Sequence, residues 1–418
     1  MDNIVAIILA GGGGQRLFPL TKTRSKPSVP FGGKYRIIDF ALSNCVNTGI
    51  RKIFILTQYR SDSLNRHVLE GWNISSSKLN EFIYNVPAQQ KTGADWYRGT
   101  ADAIRQNLDL IDEKKLEYVL ILSGDHIYKM NYLQLLNYHM ANNAELTVCA
   151  VRVPAEQAAN ALGVLEVDGN FRMVGFEEKP EIPKTIPGSP GMALGSMGVY
   201  MFTVSGLREA LNYDGDDFGH DIIPQMIKND RSVFVYDFAT HNSIADFIVQ
   251  YKQGRRETML VEKTRDSSYW RDVGTIDAYY EANMDLIDID PAFNLYGVKW
   301  PLRTFEHNVP PSKFVLGGSA TNSIVSKGCI VSAGMIRGSI LSHNVVVERG
   351  SKVEDSVIFD DVVIEPQSHI KRAIVDKRVC IKAGTAIGFN PEIDIERGCT
   401  ISQTGVVVVP KDMVIYPS

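Results

Sequence analysis

A glycine run near the start of the chain is the first feature that could bind a phosphorylated ligand. Residues 11–14 are all glycine, they follow the apolar stretch Ile4–Ala10, and Arg16 and Lys26 come soon after. Because glycine has no side chain, backbone N–H groups in such a loop can approach phosphate oxygens and an aromatic base closely. The two cations add positive charge that suits a triphosphate. The glycines alone would equally fit a flexible turn.

Two common nucleotide-binding loops do not fit these residues. A Walker loop ends in Gly-Lys followed by Ser or Thr, whereas Gly33 and Lys34 are followed by Tyr35. The fingerprint G-x-G-x-x-G also fails, because Leu17 stands three residues after Gly14 where a third glycine is required. The loop therefore indicates a different class of phosphate-binding site.

Two aspartates stand where a parallel sheet would place metal ligands. Asp125 lies in a Ser-Gly-Asp-His motif after an apolar strand predicted at 118–122, and Asp272 lies in the motif Trp-Arg-Asp-Val-Gly-Thr. Carboxylate oxygens at the carboxyl end of a strand suit a hard cation such as Mg²⁺. Each residue also fits a plain turn, and Asp125 also fits a helix cap, so these alternatives stay open.

An acidic residue beside a lysine forms a third candidate site. The run Phe-Glu-Glu-Lys-Pro at 176–180 places Glu178 next to Lys179 at the predicted end of a strand. Lysine is a compact point charge that suits a lone phosphate, and a carboxylate accepts hydrogen bonds from sugar hydroxyls. A solvated strand end without a ligand is the alternative.

Short apolar strands alternate with amphipathic helical stretches over residues 1–287, and this alternation positions the candidate residues. It predicts an α/β domain with a Rossmann-like, mostly parallel sheet and helices on both faces. Thr100 is predicted to cap a helix that continues through Ile111. Ligands bind outside the carboxyl ends of strands in such folds, which is where the candidates fall. The strands are predicted at 4–10, 53–57, 118–123 and 147–151.

Residues 313–418 repeat an apolar pattern every 16 or 17 residues, after a proline-rich stretch at 288–312 that is predicted to be a linker. Three apolar positions per coil, about six residues apart, are typical of a C-terminal left-handed parallel β-helix. An antiparallel sandwich of short strands is the alternative. A solenoid has flat faces and open ends, so we expect this domain to pack against the amino-terminal domain and to contact another subunit. The three columns are Ile324, Ile340, Val357 and Ile374; Ile330, Val346, Val363 and Cys380; and Ile336, Val353, Ile370 and Ile387.

The composition excludes several other classes of protein. The formal net charge is −4, which gives no general attraction to nucleic acid or to a membrane. The five cysteines form no CxxC pair, which predicts buried free thiols rather than disulfides or a zinc site. No apolar run reaches the length of a membrane span. A cytoplasmic protein is expected, and an organellar protein without its transit peptide is the alternative.

The motifs together resemble those of the sugar-nucleotide pyrophosphorylases. Residues 9–27 look like the signature of that family, and the resemblance covers essentially the whole chain, β-helix included. Three further segments resemble its ADP-glucose pyrophosphorylase branch. They are Phe-Gly-Gly-Lys-Tyr-Arg-Ile-Ile-Asp-Phe-Ala-Leu-Ser-Asn-Cys at 31–45, Pro-Ala-Gln-Gln at 87–90 and Trp-Tyr-Arg-Gly-Thr-Ala-Asp-Ala at 96–103.

This resemblance implies a role for each candidate residue. Arg16, Lys26 and Asp125 would be catalytic, and Asp125 and Asp272 would share Mg²⁺. In the family, the lysine of the acid–lysine pair holds the sugar phosphate and the glutamate before it holds the sugar. Glucose 1-phosphate would accordingly contact Tyr97, Gly163, Glu178, Lys179 and Ser196. The nucleotide ATP would contact Leu9, Ala10, Gly11, Gly12, Gln90, Gly99 and Thr100.

The implied reaction is transfer of the adenylyl group of ATP to glucose 1-phosphate, the committed step of glycogen and starch synthesis. A direct in-line displacement is expected, because a phosphate monoester is already nucleophilic and pyrophosphate is already a good leaving group. His126 and His220 are therefore interpreted as structural. The alternatives are a transferase that uses UTP, GTP or dTTP, a non-catalytic regulatory subunit of the same fold, and an acyltransferase using His343 or His369.

The resemblance also implies a homotetramer and a phosphorylated effector bound between the two domains. Candidate effector cations are Arg24, Arg36, Lys377 and Lys411. Thr23, Pro30 and Glu113 stand where relatives activated by fructose 1,6-bisphosphate carry a lysine, a histidine and an arginine. We therefore expect 3-phosphoglycerate to be the better activator, with an unregulated enzyme as the alternative.

Overall fold

The computed structural model describes residues 1–89, 96–111, 115–252 and 255–417. The amino-terminal part forms an α/β unit. Its strands are β1 (Ile4–Ala10), β2 (Pro30–Phe31), β3 (Tyr35–Arg36), β4 (Lys52–Thr57), β5 (Phe82–Pro87), β6 (Tyr118–Ser123), β7 (His126–Tyr128), β8 (Leu146–Pro154), β9 (Val164–Val167), β10 (Met173–Glu177), β11 (Met192–Thr203), β12 (Val233–Asp237), β13 (Asp246–Lys252), β14 (Arg255–Val261) and β15 (Trp270–Asp272).

The helices of this unit are short, and one of them begins directly after a π-helical turn at Phe218–Ile222. They are α1 (Ile38–Thr48), α2 (Asp62–Gly71), α3 (Thr100–Arg105), α4 (Tyr132–Ala141), α5 (Ala155–Ala158), α6 (Val204–Ala210), α7 (Ile223–Lys228), α8 (Phe238–His241) and α9 (Ile276–Met284).

The main sheet has the strand order β10-β9-β11-β6-β1-β4-β5, with β8 joined to β11 and β12 joined to β8. Strands β6, β1, β4 and β5 run parallel, which confirms the predicted parallel sheet. The long strand β11 was not predicted, and it pairs antiparallel with β6, β8 and β9. The parallel strands end at one edge of the sheet, where a ligand site is expected.

Strand β1 is apolar throughout because both faces of the sheet are covered. Its side chains alternate between two hydrophobic clusters: Ile4, Ala6 and Ile8 pack into one, and Val5 and Ile7 into the other. This alternation follows from the two-residue period of a strand. The continuous apolar run in the sequence therefore marks a central strand rather than a membrane segment. No helix in the described ranges is long and apolar enough to cross a membrane.

The predicted cap at Thr100 is wrong. Gly99 is the N-cap of α3, and the first helical N–H groups, those of Ala101 and Asp102, donate to the backbone carbonyl of Asp216 at 2.8 and 3.1 Å. A tertiary contact therefore replaces the side-chain cap that helix ends normally need. The helix also stops at Arg105, well short of the predicted Ile111.

The carboxyl-terminal part is a parallel β-helix of three sheets, with the single helix α10 (Pro391–Glu396) inserted near its end. Its strands are β16 (Lys313–Val315), β17 (Ser319–Thr321), β18 (Ile324–Val325), β19 (Ile330–Ser332), β20 (Met335–Arg337), β21 (Ile340–Leu341), β22 (Val346–Val347), β23 (Lys352–Glu354), β24 (Val357–Ile358), β25 (Val363–Ile364), β26 (His369–Lys371), β27 (Ala373–Val375), β28 (Cys380–Ile381), β29 (Ala386–Ile387), β30 (Thr400–Ile401), β31 (Val407–Val409) and β32 (Val414–Ile415).

All three predicted columns stack strand on strand in the predicted register, but they face in different directions. The column that starts at Ile336 points into the β-helix and is buried. The column that starts at Ile324 points outward and packs against the catalytic domain. The column that starts at Ile330 is half-exposed. A period of 17 residues predicts which positions stack from coil to coil. It does not predict whether their side chains point into the β-helix or away from it.

The two domains share one hydrophobic cluster. Phe31 and Tyr279 of the catalytic domain pack with Ile340, Phe359 and other residues of the β-helix. The stretch after α9 runs back over α1, where the Trp300 indole N–H donates to Asn44 at 3.0 Å. The predicted boundaries at 287 and 313 stay a prediction.

All five cysteines are unpaired, and four of them are buried while Cys380 is half-buried. Burial raises the pKa of the Cys45 thiol well above its usual range. The chain thus carries no disulfide among its cysteines, as the spacing predicted.

Candidate active site

A cavity of about 620 Å³ opens at the carboxyl ends of β1, β4 and β6. Ten of the residues predicted from the sequence lie on its wall. They are Leu9, Ala10, Gly11, Gly12, Arg16, Lys26, Tyr97, Gly99, Thr100 and Asp125. Gln90 lies outside the described residues.

The glycine loop closes onto the turn that carries Lys26. Gly14 adopts a left-handed backbone with φ of 59°, and a side chain there would come within 3.0 Å of Lys26 and of Thr21. The Thr21 hydroxyl donates to the Gly14 carbonyl at 2.9 Å and holds the loop in place. Glycine at 14 is therefore required both by backbone conformation and by space.

Lys26 lies between two carboxylates on the floor of the cavity. Its Nζ is 2.8 Å from Asp125 Oδ2 and 2.8 Å from Asp272 Oδ1, and its side chain is almost fully buried. Burial alone would lower the pKa of Lys26, but the two carboxylates raise it above its usual value. The structure thus brings Lys26 together with Asp125, which is 99 positions away in the chain, and with Asp272, which is 246 positions away.

The surroundings of Asp125 favour its ionised form. Burial alone would raise its pKa, but the charges of Lys26 and His126 and a hydrogen bond from Ser123 hold that pKa well below its usual range. Such a group is an acceptor and a metal ligand rather than a proton donor.

Two carboxylates and one imidazole in the cavity could hold a divalent cation. Asp125, His126 and Asp272 each offer a ligand atom, and these atoms lie within 4.8 Å of one another. The buried Nδ1 of His126 has no hydrogen-bond partner. Two carboxylate oxygens at one point form the hard donor set that Mg²⁺ prefers.

Arg16 and Asp272 both lie beside Gly274. The Arg16 side chain is exposed, and one guanidinium nitrogen lies 3.0 Å from the point that a Gly274 Cβ would occupy. Both carboxylate oxygens of Asp272 lie about as close to that point. Because Gly274 has no side chain, the space next to both Arg16 and Asp272 stays open.

The wall opposite the loop is built by α3 and by the π-helical turn. Thr100 donates its hydroxyl proton to Asp217 Oδ2 at 3.0 Å and accepts from the Phe218 N–H at 3.0 Å. The phenol oxygen of Tyr97 accepts from Asn107 at 2.9 Å. A threonine placed by these contacts is a wall residue, and its role as a helix cap is excluded.

The sugar-side candidates form a second group beside the cavity. Lys179 Nζ lies 2.8 Å from Glu178 Oε1, and both side chains are partly exposed. Lys179 adopts a left-handed backbone with φ of 49°, which costs a non-glycine residue about 1–3 kcal/mol and is typical of functional positions. The Ser196 N–H donates to the Gly163 carbonyl at 2.8 Å.

Tyr200 connects the two groups. It lines the cavity, and its phenol makes a hydrogen bond with Ser196. Burial raises the pKa of that phenol above its usual range, with smaller contributions from Asp217 and Glu178. Tyr200 is therefore the wall residue that contacts the sugar-side group, whereas Glu178 and Lys179 are not among the residues that line the cavity.

The four candidate effector cations lie at the boundary between the domains. Arg24 is buried and pairs with Asp376 of the β-helix at 2.7 Å, while its Nη1 has no hydrogen-bond partner. Lys377 Nζ lies 2.5 Å from Asp360. Burial lowers the pKa of Lys377, and the charges of Arg36 and Arg24 add to that effect. Lys411 also lies within electrostatic range of Arg24.

Several wall residues were not predicted as site residues, and Gln58, Tyr200 and Asp217 are among them. Gln58 directly follows β4, so the rule that ligands bind at strand ends could have found it. Tyr200 and Asp217 come from β11 and from the cap of the π-helical turn, two elements that the periodicity did not predict.

Comparison with known proteins agrees with this geometry. The nucleotidyl transferase family profile matches residues 5–289, and the profile of the GlmU-like C-terminal hexapeptide matches residues 310–409. A glucose-1-phosphate adenylyltransferase of Anaeromyxobacter sp. (strain Fw109-5) is 46% identical over 431 aligned positions and is covered over 100% of both chains.

Two further relatives carry the same name. The protein of Deinococcus radiodurans is 45% identical, with 98% of this chain and 99% of the relative covered. That of Shewanella sp. (strain W3-18-1) is 44% identical, with 99% and 96% covered. Both alignments run through the catalytic domain and the β-helix. The chain therefore belongs to the glucose-1-phosphate adenylyltransferase family of nucleotidyl transferases.

Proposed function

We propose that this protein transfers the adenylyl group of ATP to glucose 1-phosphate and so forms ADP-glucose and pyrophosphate. The observation that carries the proposal is the position of Lys26 between Asp125 and Asp272, beneath a glycine loop at the end of β1. This arrangement offers backbone donors, a cation and two carboxylates at one edge of the sheet, as phosphoryl transfer requires.

The chain's residues act by position and charge. The glycine loop binds the triphosphate through its backbone N–H groups, and Arg16 reaches the phosphates from the exposed side. Lys26 stabilises the negative charge that develops around the α-phosphorus, because it is held cationic by two carboxylates. A glucose 1-phosphate oxygen attacks that phosphorus in line, and pyrophosphate leaves on the opposite side.

The sugar phosphate binds beside Tyr200. Lys179 contacts its phosphate, and Glu178 accepts hydrogen bonds from the sugar hydroxyls. Gly163, Ser196 and Tyr97 complete this part of the site. The exposed ammonium of Lys179 is available to an incoming anion, since its present partner Glu178 is itself partly exposed.

Mg²⁺ is the proposed cofactor, held by Asp125 and Asp272. When bound, it neutralises the phosphate oxygens of ATP and so reduces their repulsion of the incoming sugar phosphate. The pKa of Asp125, lowered well below its usual range, keeps that ligand ionised.

Product analysis tests the proposed reaction. Purified protein incubated with ATP, glucose 1-phosphate and Mg²⁺ should yield ADP-glucose and pyrophosphate in equal amounts by mass spectrometry and phosphate assay. Hydrolysis of ATP without formation of a nucleotide sugar would contradict the proposal.

The protein is proposed to act in the cytoplasm, without nucleic acid or membrane partners.

We further propose that a phosphorylated metabolite binds the cationic cluster formed by Arg24, Arg36, Lys377 and Lys411. The unpartnered Nη1 of buried Arg24 supports an anion site there. The cavity beside Arg36 and Lys377 has about 20 Å³, room for one water molecule, so binding requires side chains to move apart. The proposed effector is 3-phosphoglycerate rather than fructose 1,6-bisphosphate, because Thr23 and Pro30 stand where relatives that respond to the bisphosphate carry a lysine and a histidine. Glu113 lies outside the described residues.

Assays with each effector test this regulation. ADP-glucose synthesis should rise with 3-phosphoglycerate more than with fructose 1,6-bisphosphate, and Lys377→Ala should reduce that rise. Strong activation by fructose 1,6-bisphosphate alone would contradict the choice of effector, and activation by neither would indicate an unregulated enzyme.

A further inference from the structure

Two glycines from separate elements enclose the carboxylate of Glu178. Gly163 directly precedes β9, and Gly219 lies in the π-helical turn. A Cβ added at Gly163 would come within 2.8 Å of Glu178 Oε2, and one added at Gly219 would come within 3.0 Å of the same atom. Neither glycine has a left-handed backbone, so available space is what excludes a side chain at these positions.

The ring of Phe176 fills the rest of this space. Its Cζ lies 2.5 Å from the Cβ position of Gly163 and 3.3 Å from that of Gly219. Phe176 and Glu178 are two residues apart at the end of β10, so the strand period turns both toward the same side. Glu177 between them is exposed. The Phe176 ring and the Glu178 carboxylate therefore occupy one slot, which is the space between Gly163 and Gly219.

We propose that Gly219 is a positioning residue for the sugar site: by leaving this slot open, it sets where the Glu178 carboxylate points. The inference rests on the proposed use of glucose 1-phosphate. The π-helical turn is itself fixed, because Asp217 accepts from the N–H groups of Gly219 and His220 at 2.9 and 3.1 Å. A turn held in this way cannot retreat from an added methyl group, so the carboxylate moves instead.

The atom nearest to an added Cβ, Glu178 Oε2, is the free end of a flexible side chain, and the Phe176 ring atoms lie farther away at 3.3 Å. An alanine at 219 therefore costs little stability and acts on the direction of the carboxylate. Hydrogen bonds between a carboxylate and sugar hydroxyls depend on that direction. The loss of one charged hydrogen bond corresponds to about a ten- to hundredfold weaker binding.

The test compares Gly219→Ala with Gly169→Ala. Gly169 lies in the turn between β9 and β10, and a Cβ there meets nothing within 4 Å. Gly219→Ala should raise the KM for glucose 1-phosphate about tenfold or more and leave the KM for ATP within about twofold. Gly169→Ala should leave both values unchanged. Thermal unfolding of both variants should match that of the wild type.

A double-mutant cycle separates positioning from a general packing defect. In a Glu178→Ala background the crowded oxygen is absent, so Gly219→Ala should add nothing to the loss caused by Glu178→Ala. Effects that multiply instead would overturn the positioning role. If Gly219→Ala fails to fold, Phe176→Leu replaces it, because an emptied slot should release the carboxylate and raise the same KM selectively.

The outcomes distinguish this inference from the proposed function. Suppose that the wild-type protein makes ADP-glucose. If Gly219→Ala then leaves the KM for glucose 1-phosphate unaltered, or raises the KM values for glucose 1-phosphate and ATP equally, only the positioning role is overturned. A wild-type protein that makes no ADP-glucose would overturn the proposed function and this inference with it.

Discussion

At the scale of single residues, the site consists of a few charged side chains that lie close together and are partly or fully buried. Lys26 is the centre, since its ammonium pairs with two aspartates, one from the middle of the domain's sequence and one from near its end. The sequence motifs identified all three residues. The motifs did not predict that the lysine lies between the carboxylates, because this contact depends on how β7 and β15 pair.

Asp125→Asn tests the role of that charge. The amide has the same shape but no charge, so the ligand for Mg²⁺ and the partner of Lys26 are both weakened. Turnover should fall by about a thousandfold or more, because a metal site supplies several kcal/mol to phosphoryl transfer. Steady-state rates at saturating substrate measure this effect. Asp230→Asn, at a side chain that is 93% exposed, is the control, and a near-normal rate in Asp125→Asn would exclude the assigned role.

Lys179→Ala tests the division of the site between its two substrates. Because Lys179 is half-exposed and faces the sugar side, the KM for glucose 1-phosphate should rise by about tenfold or more. The KM for ATP should stay within about twofold. Lys184→Ala removes a similarly exposed lysine, paired with Glu166 at 2.6 Å, and should change neither value. Equal weakening of both substrates would contradict the assignment.

At the scale of elements, the strands were easier to predict than the helices. A central parallel strand such as β1 is apolar on both faces, so its signal is strong and local. The helix after Gly99 gave a misleading signal, because its first N–H groups are satisfied by Asp216, more than 100 residues away. Strand β11 and the π-helical turn were missed for a similar reason. Strand β11 is held by pairing with other strands, and the turn is held by the hydrogen bond from the Phe218 N–H to Thr100, which is also more than 100 residues away.

The direction in which each β-helix column faces can be tested by matched substitutions. Ile336 is fully buried inside the β-helix, whereas its neighbour Met335 is 47% exposed. Ile336→Ala should lower the free energy of unfolding by about 2–5 kcal/mol, as cavity formation in a core does. Met335→Ala should change it by about 0.5 kcal/mol or less. Denaturant titration measures both, and equal losses would mean that the column does not form the core.

At the scale of the whole molecule, the two domains are joined by a shared core and by a buried ion pair. Arg24 and Asp376 are both almost fully buried, one in each domain. Removing one partner of such a pair leaves the other charge buried without a counter-ion, which lowers the free energy of unfolding by about 3–5 kcal/mol. The period of the β-helix predicted its existence, but the faces that meet the catalytic domain emerge only in three dimensions.

A homotetramer stays a prediction from the family resemblance. The half-exposed column that starts at Ile330 offers an outward apolar face through which another subunit could make contact. Light scattering of the purified protein should give four times the 46.5 kDa of one chain. Val363→Asp, in the middle of this face, should shift the mass downward while sparing the fold. A wild-type mass of 46.5 kDa at working concentration would refute the tetramer.

The choice of nucleotide is the central claim, and one assay tests it most directly. Purified protein with Mg²⁺ and glucose 1-phosphate is offered ATP, UTP, GTP and dTTP in turn, and pyrophosphate release is measured at equal concentrations. The account predicts rapid release with ATP and at least about a hundredfold slower release with each of the others, as expected where a site must hydrogen-bond one particular base. Faster release with UTP, GTP or dTTP than with ATP would contradict it.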